Sequence, residues 1–314
     1  MPGTDALIMD PEIVPTITAI LSIHTRLFAL QSLVPSPEVN GLFEDLMTIC
    51  LRPIPNARSS RILSDPRIVE ILPALHQLCS LSEFEMEKYW CKRITDSSNP
   101  NEELRKFTYF ENYVDLTRLE LAAIYALDTN PINNVAFIGS GPLPLTSICL
   151  MEQVNETAEL TRKANLGFTS WILETLGLTR KSKVKILNID HSPEAIKSST
   201  VLVHNLGISS VKMMFSLSSA SDLTSLKEYD VVFLAALVGS TQEEKEKVLG
   251  VIVSKMTIGA LVVIRSVAGM RGLCYPAFDA TTEAVAACID VGVTVDPGTR
   301  VVNSVVVGRV RARE

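Results

Sequence analysis

Residues 133–150, N-N-V-A-F-I-G-S-G-P-L-P-L-T-S-I-C-L, constrain this chain more than any other stretch. An apolar run reaches Ile138, glycines follow at 139 and 141, and a second apolar stretch opens behind two prolines. That order predicts a buried strand, a tight turn and a helix, the opening of a βαβ unit. Gly139 and Gly141 let the chain turn sharply and let its backbone approach a ligand closely. Pro142 and Pro144 are tolerated where a helix opens, because the first N–H groups there have no internal partner. They also remove donors. Pro144 stands where the dinucleotide fingerprint has its third glycine, so the turn is a poor cradle for a pyrophosphate. A ligand without phosphates is favoured.

The texture downstream agrees with a βαβ start. Strand-like runs occur at Asn134–Gly139, Lys183–Asp190, Ser210–Met214, Asp230–Ala235 and Ala260–Arg265, with late apolar segments at Gly292–Val295 and Val301–Arg309. Helical stretches such as Pro193–Asn205 and Thr241–Ser254 lie between them. The alternation predicts a doubly wound parallel sheet, with the last two runs pairing antiparallel on one edge. Residues 152–182 are long and polar for one crossover helix, and read as an extra helix or surface insertion.

Before Pro131 the pattern is helical. Ile17, Ile20, Leu21, Ile23, Leu27 and Leu30 follow a 3.6-residue period, predicting a helix over Ile13–Leu33. Further helices are expected at Asn40–Leu51, Asp65–Leu81 and Asn112–Leu127. Ser82–Lys92 reads as a separate helix capped by Ser82, with Glu83 and Glu85 in its first turn. Asp96–Glu102, polar and containing Pro100, reads as a loop. Residues 1–130 are therefore expected to form a helical domain, and 131–314 a sheet domain.

Composition bounds the function. A 314-residue chain that is 47% hydrophobic can bury a large core. Its net charge of −6 argues against nucleic acid and anionic membrane as partners. The lysines and arginines at 161–185 and near the C-terminus read as solvated faces. No apolar run approaches the roughly 20 residues that span a bilayer, and the N-terminus lacks a signal-peptide pattern. Six cysteines stand without a C-x-x-C pair, and none of the four histidines has a partner at metal-ligand spacing. Free thiols, a cytoplasmic location and no bound metal are the expectation. The oligomeric state is not readable, and a homodimer is compatible with all of this.

Asp190 ends the second strand in I-L-N-I-D. A carboxylate there can accept bonds from both hydroxyls of a ribose. Together with a phosphate-free turn, it points to an adenosine-containing ligand, of which S-adenosylmethionine is the obvious one. An ordinary tight turn and an ordinary strand-end cap fit the same residues.

Five blocks carry a resemblance. F-T-Y-F-E-N-Y-V-D-L-T-R-L-E (107–120), V-A-F-I-G-S-G-P-L-P-L-T-S-I (135–148), Y-D-V-V-F-L-A-A-L-V-G (229–239), V-I-R-S-V-A-G-M-R-G-L-C-Y-P (263–276) and V-V-N-S-V-V-V-G-R (301–309) occur in this order. They resemble the signature blocks of nicotianamine synthases, over residue 70 to the C-terminus. Residues 1–60 match only in helical character, and 152–182 look like an insertion relative to the plant enzymes, as in a fungal or divergent member. The resemblance implies a Rossmann-like sheet of the methyltransferase type behind the helical bundle. It implies that three S-adenosylmethionine molecules condense by transfer of the 3-amino-3-carboxypropyl group, releasing 5′-methylthioadenosine. A relative making fewer transfers and a methyltransferase are the alternatives.

The resemblance also implies site residues. The family pairs a glutamate with a tyrosine, best matched by Glu83 as proton acceptor and Tyr109 as the group orienting amine or sulfonium. Glu87 and Tyr113, each four residues on and so on the same helix face, are second choices with Glu120. Gly139, Ser140, Gly141, Pro142 and Asp190 would hold the donor. Leu234, Ala235 and Ala236 would pack on adenosine. Arg265 and Arg271 could clasp an α-carboxylate in a bidentate fork, and surface ion pairs would explain them equally. Ser219, followed by Ala220, takes the place of the usual acidic reader of adenine, with Asp222 three residues on. Ala268 stands where the family often has histidine.

Overall fold

The structure, a computed structural model, describes residues 11–156, 184–298 and 301–312. Seven strands form one sheet in the order β3-β2-β1-β4-β5-β7-β6. They are β1 (Asn134–Ile138), β2 (Lys185–Asp190), β3 (Met213–Leu217), β4 (Val231–Leu234), β5 (Leu261–Ser266), β6 (Ile289–Val295) and β7 (Ser304–Val310). β1 to β5 pair in parallel, and β7 runs antiparallel to β5 and β6. The expected antiparallel edge is present. Strand order reverses at β1, so the crevice between the ends of β1 and β4 is the topological switch point where such sheets bind ligands. β3 begins three residues later than expected, because residues 209–212 close a turn in which the Met213 N–H reaches the Ser209 carbonyl.

Helices α1 (Ile13–Phe28), α2 (Pro37–Leu51), α3 (Asn56–Leu63), α4 (Pro66–Thr95), α5 (Pro100–Arg105) and α6 (Phe110–Leu127) precede the sheet. Helix α7 follows β1 at 145–156. α8 (Pro193–Asn205) and α9 (Gln242–Lys255) are the crossovers, and α10 (Glu283–Cys288) precedes β6. The expected insertion at 152–182 lies outside the described residues, except that 152–156 complete α7.

Two expectations need correction. Residues 100–105 form a short helix, because Asn99 caps it and Pro100 occupies its first turn, where proline costs no hydrogen bond. Ser82 does not cap a new helix. α4 runs unbroken for 30 residues from an Asp65 cap. Its buried stripe passes through Leu75, Cys79, Ser82, Glu87, Cys91 and Ile94, so packing continues across the position where a local cap signal suggested a break. Glu83 is thus a mid-helix residue, and the N-terminal helix dipole does not explain it.

The sheet is covered on both faces. α6 and α7 with the second half of α4 share an apolar cluster with Phe137, Phe233 and Val263. α9 and α10 cover the other face through Leu249, Ile252 and Val285. The first half of α4 packs with α1, α2 and a 3-10 turn at Gly269–Leu273 in a separate cluster. α4 therefore bridges the N-terminal helices and the sheet, and it crosses over the carboxyl ends of the strands.

Candidate active site

A cavity of about 980 Å³ opens where α4 crosses those strand ends. One wall is the turn after β1, with Ala235 and Ala236 after β4; the opposite wall is the middle of α4 and the start of α6. Gly139 and Gly141 take φ of +79° and +67°, a region that disfavours side chains. The Gly139 N–H donates to the Ile189 carbonyl at 2.8 Å. Asp190 accepts from the Gly141 N–H at 2.9 Å through one oxygen and from the Ser192 N–H at 2.9 Å through the other. It therefore ties the glycine turn to the start of α8, and each oxygen keeps a further lone pair. A Cβ on residue 141 would lie 2.3 Å from Glu87 Oε2, so a larger residue there would displace the carboxylate that α4 sets against the turn, in addition to straining the positive φ.

Glu83 and Glu87 both line the cavity, one helical turn apart. Burial holds the Glu83 carboxyl above the usual range, against the opposing effects of the Tyr275 hydroxyl, which donates to Glu83 at 3.0 Å, and of Arg265. Glu87 is raised further, first by burial and then by the neighbouring Glu83 charge. Tyr109 and Tyr113 line the same wall, and burial raises both phenols. Glu83 and Tyr109, the pair expected from the sequence, line this cavity together with the second choices Glu87 and Tyr113.

The lining is rich in carboxylates and short of unengaged cations. Arg93 pairs with Glu103 at 2.5 Å. Arg265 meets Glu120 through Nε at 2.7 Å and Nη2 at 3.2 Å, and Nη2 donates to Thr146 at 2.8 Å. Carboxyls whose pKa burial has raised are brought down again when a cation arrives, since the new charge offsets what burial removed. The geometry suits a cationic guest.

The family described as "Nicotianamine synthase protein" matches residues 11–313. A nicotianamine synthase of Solanum lycopersicum is 32% identical over 300 residues, covering 95% of this chain and 84% of the other. Nicotianamine synthase 1 of Hordeum vulgare is 35% identical, covering 96% and 83%. This chain belongs to the nicotianamine synthase family. Its fold is similar to that of a crystallised MtNAS variant in complex with S-adenosylmethionine, with a TM-score of 0.72, 20% identity and coverage of 94% of this chain and 98% of that one.

Not every residue expected from the family blocks reaches the cavity. Leu234 is buried within β4, behind the lining. Arg271 sits on the 3-10 turn, outside the lining. Ser219 and Ala220 also lie off it. Ser219 donates to Asp222 at 2.6 Å, which closes that loop on itself, and Lys255 at the end of α9 donates to the Ala220 carbonyl at 3.1 Å, which ties the loop to that helix. Glu120, a second choice as base, is fully buried against Arg265 and away from the lining.

The structure gives places to residues for which the nicotianamine synthase blocks implied no role. Tyr275 reaches Glu83 from the segment after the 3-10 turn; its presence in a family block was the available signal. Lys245, wholly buried at the start of α9, donates to the Ala236 carbonyl at 2.5 Å and so supports the wall after β4. Burial lowers its pKa to about 8.

Glu87 also predicts a pH effect. Its proton is held more tightly in the folded protein than in the unfolded chain. Below the ordinary glutamate pKa both states are protonated. As pH rises from there through the raised folded value, the unfolded chain ionises freely and stability is lost. Glu87→Gln removes this loss. Its melting temperature is expected to exceed that of the wild type at pH 7.5, by about 1–2 °C per kcal/mol relieved, with the gap narrowing toward pH 4.5. Thermal melts across that range showing a constant or reversed gap contradict the raised carboxyl.

Proposed function

We propose that the protein is a nicotianamine synthase. It condenses three S-adenosylmethionine molecules by successive 3-amino-3-carboxypropyl transfers and releases three 5′-methylthioadenosines. The observation carrying this reading is that the glycine turn and the α4 carboxylates Glu83 and Glu87 face one cavity. The turn and Asp190 hold the nucleoside, with the remaining lone pairs of Asp190 accepting the ribose hydroxyls. Ala235 and Ala236 pack beside it. Residues 131–314 act as the donor-binding unit and 1–130 as the helical unit that presents the acceptor.

A sulfonium activates three carbons, and which one reacts depends on which faces the nucleophile. Orientation is therefore most of the catalysis. The nucleophile is an α-amine, mostly protonated at neutral pH. Glu83 accepts its proton, and a carboxyl raised toward neutrality is well matched to that task. Tyr109 orients the amine or the sulfonium. Donor and acceptor are both cations, and the acidic lining lowers the cost of bringing them together.

The test is incubation of the purified protein with S-adenosylmethionine alone, followed by product mass. Nicotianamine and methylthioadenosine in a ratio of one to three are expected. A product of fewer transfers indicates a related aminocarboxypropyltransferase. Unreacted donor, or a methylated acceptor with S-adenosylhomocysteine, defeats the proposal.

A further inference from the structure

Asn303 lies one residue before β7, is 8% exposed and lines the cavity. Among the described residues its Nδ2 has no hydrogen-bond partner. A buried amide donor left unpaired is costly and uncommon, and an acceptor carried by a ligand resolves it. β7 is antiparallel, so its beginning shares an edge with the carboxyl end of β5, where Ser304 pairs with Ser266. Arg265 stands opposite Val305. Strand alternation therefore places Asn303 on the Arg265 face, at the diagonal position.

The ligand's amino-acid arm carries an α-carboxylate, which needs donors. The Nε–Nη2 edge of Arg265, which would grip a carboxylate bidentately, is occupied by Glu120. The Tyr275 hydroxyl is committed to Glu83. Among the other lining groups near α4, the Tyr113 hydroxyl is engaged by Glu87, Tyr109 is assigned to the amine or sulfonium, and Glu83 and Glu87 are themselves acceptors. Ser140 Oγ, also unpartnered, belongs to the glycine turn at the nucleoside end. We infer that Asn303 Nδ2 donates to the α-carboxylate of the donor's aminocarboxypropyl arm, and so fixes the carbon presented to the acceptor amine. The inference rests on the proposed donor. A neutral donor suits this place, because it binds a carboxylate without neutralising the acidic wall that the cations need.

The experiment is calorimetric titration of wild type and Asn303→Ala with three probes. These are S-adenosylmethionine, its decarboxylated analogue with an aminopropyl arm, and 5′-methylthioadenosine, which has no arm. Asn303→Ala is expected to weaken S-adenosylmethionine by about 10–100-fold, the usual range for a hydrogen bond to a charged group, and to leave the other two unchanged. Asn303→Asp, of the same shape, is expected to weaken S-adenosylmethionine at least as much and to bind the decarboxylated analogue no worse than the wild type does. It serves as the test if the alanine variant fails to fold. Equal losses for all three probes overturn the inference in favour of a structural or nucleoside-reading amide. Losses shared by the two arm-bearing probes overturn it in favour of the amine. Unchanged S-adenosylmethionine binding overturns it outright. A wild-type protein that binds none of the probes refutes the proposed function instead.

Discussion

Glu83→Gln is expected to bind S-adenosylmethionine as the wild type does and to turn it over about 10²–10⁴-fold more slowly, the range for losing a general base. Glutamine keeps the shape of the side chain and an oxygen that can accept from Tyr275, so the cavity wall should survive. What it lacks is a basic oxygen for the proton of the attacking amine. The raised Glu83 carboxyl adds a second expectation. In the wild type, the rate falls as pH drops through the Glu83 pKa, because the protonated form no longer accepts. That acid limb is absent from the residual rate of the variant. Single-turnover assays with titrated donor binding separate the two effects. A variant running at wild-type speed removes Glu83 from the mechanism, and one that cannot bind donor assigns it to binding.

The largest stability effect is expected at Glu120, which has no exposed surface. Glu120→Ala leaves the Arg265 guanidinium buried without its counter-charge, which costs about 3–5 kcal/mol. The pair joins α6 to β5, and the Arg265 bond to Thr146 extends the link to the first turn of α7. Glu120→Gln keeps one acceptor and should lose less. Denaturant unfolding of the two variants measures this directly. A loss below about 1 kcal/mol for Glu120→Ala, the scale of an exposed pair, would mean that water reaches Arg265. The Glu120→Ala protein is also expected to lose activity, because Arg265 lines the cavity.

Local signals were legible where a residue acts through its own backbone or its near neighbours. Pro193–Asn205 was readable to the residue, because Ser192 caps it, a proline opens it, and the apolar spacing is regular. The glycine turn was readable because positive φ and close approach leave little choice of residue. α4 misled at Ser82, since serine followed by acidic residues is a genuine cap signal. Packing on both sides of that point outweighed it, and the structure kept one helix. The better signal in α4 was the polar residues, Ser82 and Glu87, within a stripe that is otherwise buried and apolar.

The alternation of strands and helices, the donor-poor turn, Asp190 at the end of β2 and the family all follow from the chain itself, because periodicity, glycine geometry and block order are local or ordered in sequence. Which arginine edge is occupied, which loop closes on itself and which tyrosine reaches Glu83 do not. Arg265 and Glu120 are 145 residues apart, and Tyr275 and Glu83 are 192 apart. Such pairs exist only once α4 and α6 have packed over the sheet edge, and hydrogen bonds between segments so distant in sequence leave no trace in spacing along the chain.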